Sequence, residues 1–386
     1  MKKLKICYIG WANSIHVERW VKWFADRGHE VHLITDAIKE IEGVFQYDIK
    51  TNSTYRSRLE RYIDLQFNIN NKHLKRIGEI FRLRKLIKKI KPVILHSFSL
   101  WYPGYLGVYS GFHPYVITVL DGDVLWVKDN TNLFTKLRTK YALTHSDYVV
   151  GESEHLISAA VKTGVRKERA AVNKIGVDKK YFYFKENKEE AKKLLGLEGC
   201  KVVLSPRSIS PFYNIDLVLN TVKEVSKNVK NVKYVFLGHH VDEKYFNELK
   251  DKAMKNGVDR YCSFIGKVDY ITVAKYHQAS DVFISLSPKD SGPMALQEAM
   301  ACGAVPVISD LPSVKELIQD GFNGLLVNPN NGDQIVMSVI KLLDDDEMRN
   351  NYVQKNRKIA QEMCDQEKEM NKMESMYYQV IEDKKG

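Results

Sequence analysis

Two periods of apolar and polar positions alternate along the first half of the chain. The runs KICYIG (5–10), EVHLIT (30–35), PVILHSF (92–98), YVITVLDG (115–122) and DYVVGES (147–153) are apolar almost throughout and end in turn residues. Such runs predict short strands buried on both faces. Between the first two, Val17, Trp20, Val21 and Phe24 recur at helical spacing, which predicts a helix from about His16 to Arg27, stopped by Gly28. Ile80 to Ile90 predicts a second helix, this one strongly basic.

The pattern restarts at Lys201. KVVLSP (201–206), KYVFLG (233–238), YCSFIGKV (261–268), DVFISLS (281–287) and AVPVISD (304–310) read as strands separated by helical stretches, and from Asp333 onward only helical periodicity remains. Strands alternating with helices indicate βαβ units and parallel sheets. A charged, apolar-poor stretch from Lys185 to Lys193 divides the series. The expected domains are therefore 1–190 and 191–365, both doubly wound, followed by a helix over 366–386. Ligands of such sheets lie beyond the carboxyl ends of the strands.

Length and composition agree. A chain of 386 residues, 44% hydrophobic and 28% charged, suits two soluble cores. No run approaches the ~20 apolar residues of a membrane span. The start, MKKLKICYIGWA, imitates a signal peptide, but its apolar core is too short and is followed by His16, Glu18 and Arg19. A buried first strand explains it, and the expected location is the cytoplasm. Five cysteines with no CxxC spacing argue against a disulfide framework and a zinc site.

The net charge of +11 is concentrated between Arg56 and Lys91, where 12 Lys or Arg face three acidic residues. With Tyr55, Tyr62, Phe67 and Phe81 interleaved, this segment suggests peripheral contact with an anionic membrane or an anionic acceptor. A solvated helix face is the plainer alternative. Nucleic-acid binding would require tight, salt-sensitive affinity for arbitrary duplex, and no nucleic-acid partner is expected. The aromatic run FSLWYPGY (98–105) could wall the same acceptor region.

The densest chemistry lies in SPKDSGPMALQEAMACGAVPVISD (287–310). A strand ends at Leu286, a loop carries Asp290, Gly292 and Pro293, and a helix runs from about Met294 to Cys302. A helix N-terminus suits a diphosphate. Asp290 and Glu298, eight apart, could accept hydrogen bonds from the vicinal hydroxyls of a sugar and a ribose. Alternatively, Asp290 only caps the helix and Glu298 faces solvent.

This segment resembles the acid-x7-Glu signature of the retaining family 4 (group 1) glycosyltransferases of the GT-B fold, with Asp290 in place of the usual first Glu. The match is closest over EAMACG (298–303) and DG-x-NG-x-LV (320–327), and is supported by Gly10, RGHEVHLIT (27–35), Gly176, Val177, Asp178 and Phe182, Arg207, and IGKV (265–268).

The resemblance implies two facing Rossmann-like domains, the first on the acceptor side and the second binding the donor. The C-terminal helix would cross back to the first. It also implies transfer of a hexose from a UDP- or GDP-sugar to a glycan, lipid-linked or other cell-envelope acceptor, with neither metal nor cofactor. Glu298 would hold the donor ribose and Asp290 the sugar hydroxyls. Backbone at Gly292, Met294 and Ala295 would line the sugar and diphosphate, whose charge Arg207 would neutralise. Ile265 and Gly266 would lie along the base, and the Gly10 loop would approach donor and acceptor. Asp123 resembles the Asp of a G-S-D variant, and His16, one turn into the first helix, is a further acceptor-side candidate.

Three positions depart from the pattern. Tyr213 and Asn214 stand where Lys-Gly is usual, so Tyr213 offers phosphate a hydroxyl without a charge, and Lys289 is a candidate to supply the missing charge. Pro293 removes a backbone donor. Leu120 stands where His is common. These changes define one rival, a nucleotide-sugar-binding subunit without turnover. A sugar-nucleotide epimerase is a second rival, disfavoured by the wording around Glu298.

Overall fold

A computed structural model describes residues 2–50, 72–125 and 133–384, without the side chains of 72–75 and 121. The chain forms two compact units, Met1–Asn173 with Met370–Gly386, and Lys174–Glu369. The first part of the basic segment, 56–71, together with Tyr55 and including Tyr62 and Phe67, lies outside the described residues.

Among the described residues, the first unit holds seven parallel strands: β1 Lys5–Ile9, β2 Glu30–Thr35, β3 Val44–Asp48, β4 Ile94–Phe98, β5 Tyr115–Val119, β6 Tyr148–Gly151 and β7 Ala170–Val172. Their order is β3-β2-β1-β4-β5-β6-β7. The central strands β4 and β5 are buried at every position, as their unbroken apolar runs require. The helices are α1 Ile15–Asp26, α2 Lys72–Ile90, α3 Tyr105–Ser110, α4 Asp121–Val124, α5 Leu133–Thr144 and α6 Glu154–Thr163. A π-helical turn, Leu100–Gly104, follows β4. Val17, Trp20, Val21 and Phe24 form the buried stripe of α1.

The second unit has six parallel strands: β8 Lys201–Ser205, β9 Val232–Gly238, β10 Cys262–Lys267, β11 Val282–Ser285, β12 Val305–Ser309 and β13 Leu325–Val327, ordered β10-β9-β8-β11-β12-β13. Its helices are α7 Lys188–Leu194, α8 Ile215–Asn228, α9 Glu243–Lys255, α10 Tyr270–Ala279, α11 Met294–Cys302, α12 Gly332–Asp344 and α13 Asp346–Met363. A last helix, α14 Gln366–Asp383, begins in the second unit and continues into the first.

The stretch expected to be a linker at 185–193 is part of the second unit, and the chain passes between units at Asn173 rather than at residue 190. Val177, Phe182 and Leu197 are in the second core. On α7, the half-buried Lys188 donates from Nζ to the carbonyls of Ser280 and Gly303, both at 2.6 Å. These carbonyls lie at the carboxyl ends of α10 and α11, where a cation is favoured by the helix dipole.

Among the described residues no helix is long and apolar enough to cross a membrane.

Candidate active site

In a doubly wound sheet the strand order reverses at one place, and the loops leaving the two strands there diverge to open a crevice. In the second unit that place is between β8 and β11, which pair in parallel. Arg207 leaves the end of β8 and Asp290 the end of β11. Their side chains meet: Arg207 Nη2 donates to Asp290 Oδ2 at 2.7 Å, with side chains only 12% and 11% exposed. The Arg207 guanidinium also lies over the Tyr213 ring, 4.6 Å from its centroid. Burial opposes the Arg207 charge, but Asp290 and Tyr213 outweigh it and hold the guanidinium above its ordinary value.

Tyr213 and Asn214 replace the usual Lys-Gly with a local solution. Asn214 adopts the left-handed conformation, φ 53° and ψ 40°, which Asn tolerates better than most residues. Its Nδ2 donates to the Leu286 carbonyl at the end of β11. One Asn thus makes the turn and ties the two switch-point strands together. Lys289 is exposed.

Asp290 does not cap α11. The N-cap position before Met294 is Pro293, with no side-chain cap, and Asp290 Oδ1 instead accepts weakly from the Gly292 N–H at 3.4 Å. The Asp290 carbonyl accepts from Ser313 Oγ at 2.6 Å. Gly292 and Met294 are buried and Ala295 is half-buried at the helix start. Glu298 is 5% exposed, which removes the alternative of a solvent-facing carboxylate.

Ile265 and Gly266 sit on a β-bulge. The β10–β9 register shifts between Phe264 and Gly266, and Gly266 takes φ 79°. The bulge turns Ile265 outward to 39% exposure, an apolar side chain re-aimed by one extra residue.

Sequence reasoning missed Gly238. A Cβ there would stand 2.5 Å from the Arg207 carbonyl oxygen, so only glycine lets β9 end against the backbone carrying Arg207. The signal was the Gly following the apolar run of β9. It also missed His277, on the last turn of α10, whose Nε2 lies 3.9 Å from Glu298 Oε2.

In the first unit the order reverses between β1 and β4. Gly10 ends β1, where a Cβ would press Phe98 and Val17 at 3.2 and 3.3 Å. His16 is half-buried in the first turn of α1. Asp123 is 3% exposed, and both its oxygens knit loops: Oδ1 accepts from Ser99 Oγ at 2.9 Å, and Oδ2 from the N–H groups of Leu100 and Leu120 at 2.7 and 2.8 Å. Burial, only partly offset by these bonds, raises its pKa from 3.8 to about 6. Ser99 itself is held at φ 73°, ψ 142°, a costly conformation for a residue with a Cβ. His96 is fully buried between Tyr377 Oη and Thr118 Oγ1, and burial lowers its pKa to about 3.

On the described part of the basic segment, α2 exposes Ile77 (50%) and Phe81 (63%) among cations. Beside it, a cavity of ≈ 170 Å³ is walled by Tyr102, Tyr105 and Tyr109 with Arg76 and Arg138, the Arg138 guanidinium stacking 3.7 Å over Tyr105. Among the described residues no three His, Cys, Asp or Glu side chains cluster so as to hold a metal.

Residues 186–359 match the family model for glycosyl transferases group 1, and residues 5–153 that for glycosyl transferase 4-like proteins. The chain is 25% identical to the N-acetyl-alpha-D-glucosaminyl L-malate synthase of Bacillus anthracis, covering 100% of this chain and 99% of that protein. It is 32% identical to the alpha-monoglucosyldiacylglycerol synthase of Streptococcus pneumoniae over 36% of this chain and 32% of that one. The crystal structure of Anabaena HepE in complex with UDP and glucose superposes with a TM-score of 0.77 at 14% identity, over 97% of this chain and 100% of that one. Sucrose-phosphate synthase from Thermosynechococcus elongatus gives 0.80 at 16%, over 98% and 99%. With two Rossmann-like units, a charged pair at the switch point of the second, and family models matching both halves, the chain belongs to the group 1, family 4 glycosyltransferases of the GT-B fold.

Proposed function

We propose that this glycosyltransferase uses a nucleotide-sugar donor, a UDP- or GDP-sugar, and transfers the sugar with retention of configuration and without a metal ion. The observation that carries the reading is the buried Arg207–Asp290 pair at the β8–β11 switch point, beside the start of α11. An Arg fork has five N–H donors, so Arg207 can hold Asp290 and still meet a diphosphate. The α11 N-terminus at Met294 and Ala295 adds backbone donors. Glu298 accepts from the ribose hydroxyls, Asp290 from those of the sugar, and Ile265 with Gly266 flanks the base. Charge on the leaving diphosphate is met by Arg207 and α11, and that diphosphate takes the acceptor's proton. Asp123 serves by shaping the loops after β4 and β5, and His16 serves on the acceptor side.

The acceptor is anionic or lipid-linked, a glycan or an envelope component. Support comes from the cation-rich α2 with exposed Ile77 and Phe81, and from the relatives named for malate and for a diacylglycerol glycolipid. Peripheral contact with an anionic membrane follows from the same face.

The test is thermal shift against UDP, GDP, ADP and their sugars, followed by donor hydrolysis with and without EDTA. The reading expects stabilisation by one nucleotide and slow, EDTA-insensitive hydrolysis of its sugar. Stabilisation by none overturns it. Binding with no hydrolysis or transfer identifies a donor-binding subunit. For the membrane face, cosedimentation with phosphatidylglycerol vesicles but not phosphatidylcholine vesicles is expected, weakened in Ile77→Ser/Phe81→Ser. Equal recovery with both lipids rejects that contact.

A further inference from the structure

His277 sits at the end of α10, fully buried, and neither ring nitrogen has a hydrogen-bond partner. Aromatic rings fix its plane: Phe283 stacks on it at 6.4 Å and 19°, and Phe182 meets it at 5.6 Å and 66°. Nothing else in the core of this unit combines full burial, a titratable ring and two idle polar atoms with a position beside the donor carboxylate. A buried polar group without a partner is costly and demands a reason.

The neighbour is Glu298 on α11, whose Oε2 lies 3.9 Å from His277 Nε2. That separation is too long for a hydrogen bond and short enough for a change of the Glu298 side-chain torsions to close. The ring is neutral at working pH: burial, aided by nearby His239, pushes its pKa down to about 3. It therefore carries one N–H and attracts the carboxylate by hydrogen bonding rather than as a charge.

We propose that His277 is the positioning residue for Glu298. When the donor ribose draws one carboxylate oxygen outward, the other swings onto His277 Nε2–H, and the aromatically clamped ring locks the carboxylate in its ribose-binding rotamer. This rests on the reading that Glu298 holds the ribose. It adds a contact that fixes the carboxylate's orientation while it grips the ribose.

The test measures affinity of the purified full chain for UDP and GDP and for their 2′,3′-dideoxy counterparts by calorimetry, and KM and kcat for the matching nucleotide sugar. His277→Phe keeps the ring and deletes the N–H, while His277→Gln keeps a donor. Expected for His277→Phe are an unchanged or higher melting temperature, about tenfold weaker nucleotide binding with donor KM raised more than kcat is lowered, and a smaller penalty for removing the ribose hydroxyls. His277→Gln should restore most of the affinity. Glu298→Gln is measured in parallel. If it weakens binding and His277→Phe does not, His277 is core packing and only this inference falls. If Glu298→Gln leaves affinity and the ribose penalty untouched, the Glu298 reading falls, and this inference with it. If His277→Phe does not fold, failure of His277→Gln to bind nucleotide at near-wild-type affinity overturns the proposal.

Discussion

Asp123 shows how much one carboxylate can be asked to do. Three donors converge on it from the ends of β4 and β5, yet burial still lifts its pKa to about 6. Because the folded value exceeds the ordinary one, its stabilising contribution is full below pH 4 and is lost as pH rises through 6, on the order of 3 kcal/mol at two units of difference. Asp123→Asn should therefore flatten the fall in stability of the first unit between pH 4 and 6, seen in urea melts at several pH values. Its amide oxygen can still serve Leu100 and Leu120 while Ser99 reverses its hydroxyl. Asp123→Ala leaves three buried donors unmet and should cost about 2–4 kcal/mol at neutral pH. Equal costs for the two variants would refute this account.

The Arg207–Asp290 pair makes a sharper prediction. Removing Asp290 leaves a buried cation, so Asp290→Ala should destabilise the second unit by roughly 3 kcal/mol. A bound diphosphate would then supply the missing counter-charge. UDP or GDP should raise the melting temperature of Asp290→Ala more than that of the wild type, while sugar transfer falls. A smaller shift in the variant would argue against diphosphate at Arg207. Both residues were legible as candidates from the sequence, one at a strand end and one in a motif. Their contact was not, because a pair 83 positions apart leaves no local pattern.

At the scale of elements, the buried strands were easy to read, since burial on both faces leaves an unbroken apolar run. The short edge strands were not. β3 is half-exposed along its length and β7 has three residues, so neither shows a period. The seven-residue α7 looked like a linker because only Ala191 and Lys192 within it are buried. Its work is done from its first residue by Lys188, clamped between two helix ends. Lys188→Met should cost about 1–3 kcal/mol in urea titration, with α10 and α11 fraying first by hydrogen exchange. Gly238→Ala tests the packing of β9 against β8. The added methyl must push the Arg207 carbonyl, so nucleotide affinity should drop about tenfold or more. A substitution that left affinity intact would show that the backbone there yields freely.

For the molecule as a whole, the first unit is built from two separate pieces of chain. Tyr377 is fully buried against Phe24 and bonded to His96 and Tyr8. Glu374 accepts from His29 Nε2 at 2.8 Å, since Nδ1 of that ring already accepts from the Leu4 N–H. Tyr377→Ala should cost about 3–5 kcal/mol, and a chain ending at Glu369 should melt its first unit well before its second.

That arrangement sets an order of events on the ribosome. The second unit is one continuous stretch, Lys174–Glu369, and can finish folding as soon as it has emerged. The first unit is synthesised earlier but waits, its cavity for Tyr377 open, until residues 370–386 have emerged. The unit whose larger piece is made first is thus completed after the second, and the growing chain exposes a place for chaperones to bind until that later segment arrives.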